Sequence, residues 1–238
     1  MSSPDTSLLA TSLVPERSDA PDATTSLSFD GLLHTPIVIA QDLRNGCGGQ
    51  TWPAGVVLSK YLLRSHRHQL SDKSIVELGS GGGLVGLAVA RACHLTHPLY
   101  ITDQIPMLHL MEKNISNNNL DDSVRAVVLD WGEPIPPAIP HHPDVILAAD
   151  CVYFEPAFPL LIKTLDDLLG PHTVCYFCFK RRRRADWRFI KTAKKKFDML
   201  EITDYTDYED NRKESIFLYT IRRKSQQQQP SADKKPLA

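Results

Sequence analysis

The chain has 238 residues, 42% of them hydrophobic, which is enough for one sizeable core and too little for two. Lys and Arg number 27 against 28 Asp and Glu, so no bulk attraction to nucleic acid or an anionic membrane follows, and any such binding must come from a local patch. No apolar run approaches membrane-spanning length, and five scattered cysteines do not make a disulfide framework, so the expected compartment is the cytoplasm, with nuclear access open. The early acids Asp5, Glu16, Asp19 and Asp22 argue against a mitochondrial transit peptide.

In chain order, residues 1–27 are Ser-, Thr-, Pro- and Asp-rich without periodicity and are expected to form a solvated tail. A single folded domain is expected over residues 28–224, and a second tail, opening on a glutamine run, over 225–238. Trp52-Pro53-Ala54-Gly55 opens a helix. Strands are predicted at 74–78, 99–102, 125–129, 145–149 and 173–179, apolar enough for burial on both faces and separated by helices. Phe158, Leu161, Leu165, Leu168 and Leu169 make one apolar helical stripe, stopped by Gly170-Pro171. A basic helical stretch follows, then two strands at 200–205 and 215–221 that read as an antiparallel hairpin. The order is that of an α/β fold with a mostly parallel, Rossmann-like sheet closed by that hairpin.

The strongest local signal is Ile75-Val-Glu77-Leu-Gly79-Ser80-Gly81-Gly82-Gly83-Leu-Val-Gly86, a strand entering a glycine turn and then a helix. Such a turn brings backbone close to a ligand at a helix start. Gly79-x-Gly81-x-Gly83 suits S-adenosyl-L-methionine, while Gly81-x-Gly83-x-x-Gly86 fits the dinucleotide fingerprint, so the loop alone does not choose. Asp103, at the end of the second predicted strand, suits ribose hydroxyls in either case. Charge separates the two. Glu77, Asp103, Asp130 and Asp150 stand at or near successive strand ends, where open α/β sheets bind ligands, and such a ring favours a cationic sulfonium over an anionic pyrophosphate. Asp130 and Trp131 together suit an adenine, the acid accepting from its amino group and the indole covering its ring.

With Trp52-Pro53-Ala54, Glu77-Leu-Gly79-Ser80-Gly81, Asp103, Asp130-Trp131 and Asp150-Cys-Val-Tyr153 in this order, the chain resembles the seven-strand lysine methyltransferases with an Asp-x-x-Tyr motif, and within them the fungal elongation-factor enzymes. The similarity spans about residues 30–222. It implies a Rossmann-like seven-strand class I methyltransferase fold and S-adenosyl-L-methionine as cofactor. It further implies that Trp52, Gly79, Ser80, Gly81, Asp103, Trp131 and Ala149 line the cofactor, that Glu77 supports the loop and the methionine end, and that Asp150 and Tyr153 form the mouth for the acceptor lysine. Trp-Pro stands at 52–53 where several relatives carry Trp-Asp. The resemblance points to a protein substrate, translation elongation factor 1-alpha, and to a monomer.

A different class stays in view, because Lys180, Arg181 to Arg184, Lys191 and Lys194 to Lys196 concentrate positive charge that suits RNA. An RNA or small-molecule N-methyltransferase using the same cofactor is therefore the alternative. Adenine-N6 enzymes carry two prolines where this chain has Cys151 and Val152, which weighs against a flipped base. A solvated helix face is the preferred reading of the basic run, and a dock for an acidic protein surface is a further one. Cys175-x-x-Cys178 lies on a predicted strand, where residues three apart face opposite sides, so no metal site is expected.

Overall fold

The structure, a computed structural model, describes residues 23–42 and 49–224. Its elements run β1 (Ala23–Leu27), β2 (Ile37–Gln41), α1 (Pro53–Ser65), β3 (Ile75–Leu78), α2 (Leu84–Ala92), β4 (Leu99–Asp103), α3 (Ile105–Asn117), β5 (Val124–Val128), β6 (Val145–Ala149), α4 (Phe158–Leu168), β7 (Val174–Lys180), α5 (Arg184–Lys196), β8 (Phe197–Glu201), α6 (Tyr208–Lys213) and β9 (Ile216–Arg223).

Seven strands form the main sheet in the order β5-β4-β3-β6-β7-β9-β8. The first five pair in parallel, whereas β9 runs antiparallel between β7 and β8. Chain progression reverses between β3 and β6, the switch point at which open α/β sheets bind ligands. Helices α1, α2 and α3 cover one face and α4 and α5 the other, each over its own apolar cluster. The alternation of β7 puts Cys178 into the first cluster and Cys175 into the second, so the two thiols are on opposite faces of the sheet.

Two expectations need correction. Residues 23–27 are not tail: they form β1, which pairs antiparallel with β2 from Ala23↔Gln41 to Leu27↔Ile37. This ribbon is tied to the domain by Asn114 of α3 and by Asn118, just past its end. Ala40 N–H donates to Asn114 Oδ1 at 2.8 Å and Val38 N–H to Asn118 Oδ1 at 2.9 Å, while the Asn114 amide donates to the Gly82 carbonyl at 2.9 Å. The ribbon thus supports the glycine turn. The strand predicted at 200–205 is β8, shifted to Phe197–Glu201, because α5 passes into it without a loop and its inward residues are Phe197 and Met199. The tail predicted at 225–238 lies outside the described residues, as do residues 1–22.

Candidate active site

The carboxyl ends of β3, β4, β5 and β6 open onto a cavity of about 480 Å³, within the range of small-molecule sites. It is lined by all of the residues named from the sequence: Trp52, Glu77, Gly79, Ser80, Gly81, Asp103, Asp130, Trp131, Ala149, Asp150 and Tyr153.

The glycine turn is shaped by its neighbours. Gly79 has φ +59°, and a Cβ there would lie 2.7 Å from Trp131 Cζ2, so turn and indole meet with no room for a side chain. Gly86, in the first turn of α2, passes so close to β4 that a Cβ would stand 2.5 Å from Ile101 Cγ2. The third glycine of the dinucleotide-like spacing is therefore accounted for by strand-helix packing. Ser80 turns its hydroxyl to the Met111 sulfur of α3 at 3.1 Å, so what it offers the cavity is backbone.

Asp103 ends β4 and accepts from Gly81 N–H through Oδ2 and from Gln104 N–H through Oδ1, both at 2.7 Å. Each oxygen keeps one lone pair, which is the capacity for two ribose hydroxyls. Burial raises this carboxyl to about 6 against the pull of those two N–H groups, and the nearby Asp130 charge adds to the rise. On the far side, Gly132 N–H donates to Thr164 Oγ1 of α4 at 2.8 Å, fixing the loop that carries Asp130 and Trp131.

Glu77 is 2% exposed on β3, and its Oε2 accepts Gly86 N–H at 2.7 Å. Burial pushes its carboxyl from 4.5 up to about 8, offset in part by the Gly86 and Val85 N–H groups. The fold without cofactor therefore keeps this proton at a pH where the unfolded chain has released it. Stability from this group is complete below 4.5 and is lost as pH rises to about 8. Glu77→Gln is expected to flatten the fall in melting temperature across that window and to leave the variant the more stable protein at its upper end. Parallel melts at stepped pH check this, and matching slopes count against a buried, protonated Glu77.

Asp150 follows β6 in the left-handed region, φ +54°, where short polar residues are the tolerated non-glycines. Its N–H donates to the Cys178 carbonyl at 2.8 Å. Its side chain is 3% exposed and accepts four times: from Lys180 N–H at 2.9 Å, from Arg182 Nη1 at 3.0 Å and Nη2 at 3.3 Å, and from Ala54 N–H at 3.4 Å. The last contact caps α1, whose own first flanking residue, Trp52, supplies no side-chain cap. Pro53 opens that helix at a position where no N–H is needed, which accounts for Trp-Pro at 52–53. The Tyr153 carbonyl accepts from the Arg183 guanidinium.

The sequence reading missed Arg182, whose guanidinium carbon stands 4.8 Å from the centroid of the Trp52 ring while the group holds Asp150. Its signal was hidden inside the basic run, read as one solvated face. Other members of that run are engaged too: Lys180 with Glu214, Arg183 with Asp186, Lys196 with Asp166, and Lys194 over the Tyr219 ring. Ile39 of β2 and the 104–107 stretch at the start of α3 also line the cavity and went unnoticed, since nothing in their local pattern marks a site.

Residues 33–196 match the family model described as lysine methyltransferase. The Saccharomyces cerevisiae protein-lysine N-methyltransferase EFM6 is 40% identical over 225 residues, covering 84% of this chain and 91% of its own. The mouse EEF1A lysine methyltransferase 3 is 36% identical over 141 residues, 58% of each chain. Among solved structures, the T. thermophilus 16S rRNA N2 G1207 methyltransferase RsmC superposes with a TM-score of 0.59 at 13% identity, over 87% of this chain and 52% of that one, a likeness of fold.

Proposed function

The chain belongs to the lysine methyltransferase family, and from that premise we propose that it methylates a lysine of translation elongation factor 1-alpha. The broader activity, S-adenosyl-L-methionine-dependent N-methylation of protein lysine, comes with the family. The coincidence of four carboxyl groups, an indole and the Asp150–Tyr153 loop in one cavity supports the activity, and the name of the mouse relative is the observation that carries the choice of substrate.

The residues fit the cofactor's chemistry. Four carboxyl groups, Glu77, Asp103, Asp130 and Asp150, line the cavity, Asp150 paired with Arg182, and a sulfonium and an ammonium favour the ionised form of the others whereas a pyrophosphate opposes it. When bound, S-adenosyl-L-methionine supplies an electrophilic methyl group. Trp131 is assigned the adenine face, Asp130 the adenine amino group, Asp103 the ribose hydroxyls, Glu77 the cationic methionine end, and Trp52, Gly79, Ser80, Gly81 and Ala149 the remaining wall. Asp150 and Tyr153 are assigned the acceptor mouth. A lysine ammonium, of ordinary pKa about 10.4, has no lone pair and must lose a proton before it attacks. An apolar, aromatic-walled mouth favours that loss by desolvation, with the proton leaving to water. Holding the amine in line contributes up to about 7–11 kcal/mol in well-oriented cases.

The reading includes a monomer, as the resemblance implies, working in the cytoplasm, which the scattered cysteines support. Recombinant elongation factor 1-alpha incubated with the enzyme and methyl-labelled cofactor is expected to take label on lysine, mapped by mass spectrometry of its peptides. Label on RNA alone in a lysate from cells lacking the enzyme overturns the substrate assignment.

A further inference from the structure

Among the ionisable side chains of the described residues that line the cavity, four are carboxylates, Glu77, Asp103, Asp130 and Asp150, and the cation is Arg182. Cys151 and Tyr153 complete the titratable set. Arg182 reaches the cavity from the segment after β7, 32% exposed by side chain, with its guanidinium between the Trp52 ring and the Asp150 carboxylate. Those are the two contacts, an aromatic face and a carboxylate, that an ammonium seeks. The occupancy of Asp150 is the second fact. A carboxylate has about four lone-pair sites, and Lys180 N–H, Ala54 N–H and the two Arg182 nitrogens fill them.

Resting on the protein-lysine reading above, we propose that Arg182 is a positioning residue of the acceptor mouth, which by holding Asp150 prevents that carboxylate from trapping the incoming lysine in its protonated, unreactive form. A bare carboxylate beside the mouth favours the ammonium, which binds well and cannot attack. Paired with Arg182, the same carboxylate is neutralised and saturated, so the arriving amine meets no local charge that retains its proton. Proton loss to water then precedes transfer, in which the N–C bond forms as the S–C bond breaks and the electron pair of that bond stays on sulfur. Glu77, Asp103 and Asp130 face the same cavity but are assigned to the cofactor, whose positive charge opposes theirs.

The test is the pH dependence of kcat, from about pH 6 to 10, for the full-length enzyme with saturating labelled cofactor and recombinant elongation factor 1-alpha, because kcat reports ionisations within the bound complex. Arg182→Gln is expected to move the acid limb to higher pH by about one pH unit or more, with the alkaline plateau kept within a few-fold and KM for the protein unchanged or lower. Arg182→Lys, which restores a cation, is expected to return the limb towards that of the wild type. A limb that stays in place while the plateau falls makes Arg182 structural and overturns the inference. So does a limb left in place with cofactor affinity, read by calorimetry, weakened tenfold, since the guanidinium then serves the cofactor. If the wild-type enzyme labels no lysine of this acceptor, the substrate reading itself has failed and the inference falls with it; a labelled wild type beside an unmoved limb sinks the inference alone.

Discussion

Asp150→Ala is expected to lower kcat for lysine methylation by at least about 100-fold, the scale seen when a preorganised electrostatic partner is removed from an active site. The reason lies in what the carboxylate joins. It links the exit of β6 to the end of β7 through Lys180 N–H, caps α1 through Ala54 N–H, and neutralises Arg182. Without it the guanidinium remains as an uncompensated cation beside the nitrogen on which positive charge develops during transfer, and α1 loses the cap on Ala54 N–H. Asn is not expected to rescue, because its one carbonyl oxygen serves two of the four donors and its amide turns two further N–H groups toward the others. Cofactor affinity should stay within a few-fold, since Asp103, Asp130 and Trp131 hang on β4 and β5. A stability loss of about 1–3 kcal/mol, from the orphaned buried N–H groups, should accompany the change. Initial rates, calorimetry and denaturant titration separate these effects, and a variant that turns over at the wild-type rate removes Asp150 from the acceptor mouth.

Much of this site was legible because its residues obey local rules. The glycine turn announces itself by spacing, and the acids at Glu77, Asp103, Asp130 and Asp150 by their position at the ends of apolar runs whose parallel pairing follows from length and burial. What escaped depends on partners distant in sequence. Ala23–Leu27 is rich in Ser and Thr and makes a strand only because Ile37–Gln41 pairs with it and Asn114 and Asn118, some eighty residues further on, dock the pair. The strand expected to start at Leu200 starts instead at Phe197, because Leu200 is 69% exposed and the inward alternation is set by Phe197 and Met199. Arg182 was lost among five consecutive cations at 180–184. Which of them turns inward is decided by the buried carboxylate thirty-two positions earlier, and no periodicity reports that.

At the other end of the cavity, Trp131→Ala is expected to weaken cofactor binding by about 30-fold or more, roughly 2 kcal/mol, as truncation of a well-packed aromatic anchor does. The indole is held in place before any ligand arrives, by its contact with Gly79 and by the Gly132–Thr164 bond that fixes the loop behind it. Binding energy from a preformed ring therefore needs little ordering on association. Because adenine is remote from the bond being broken, the loss should appear in the cofactor's KM, with kcat at saturation within a few-fold of the wild type, the pattern of binding shared equally by ground and transition states. Trp131→Phe should recover part of the affinity, since a smaller ring still covers part of the adenine. A melt without cofactor separates this from a collapse of the glycine turn: the turn's share appears as a lower melting temperature, the ring's share as a smaller rise on adding cofactor. Calorimetry that returns the same affinity for Trp131→Ala as for the wild type would take the adenine away from this face of the cavity, and with it the orientation that aims the methyl group at Asp150 and Tyr153.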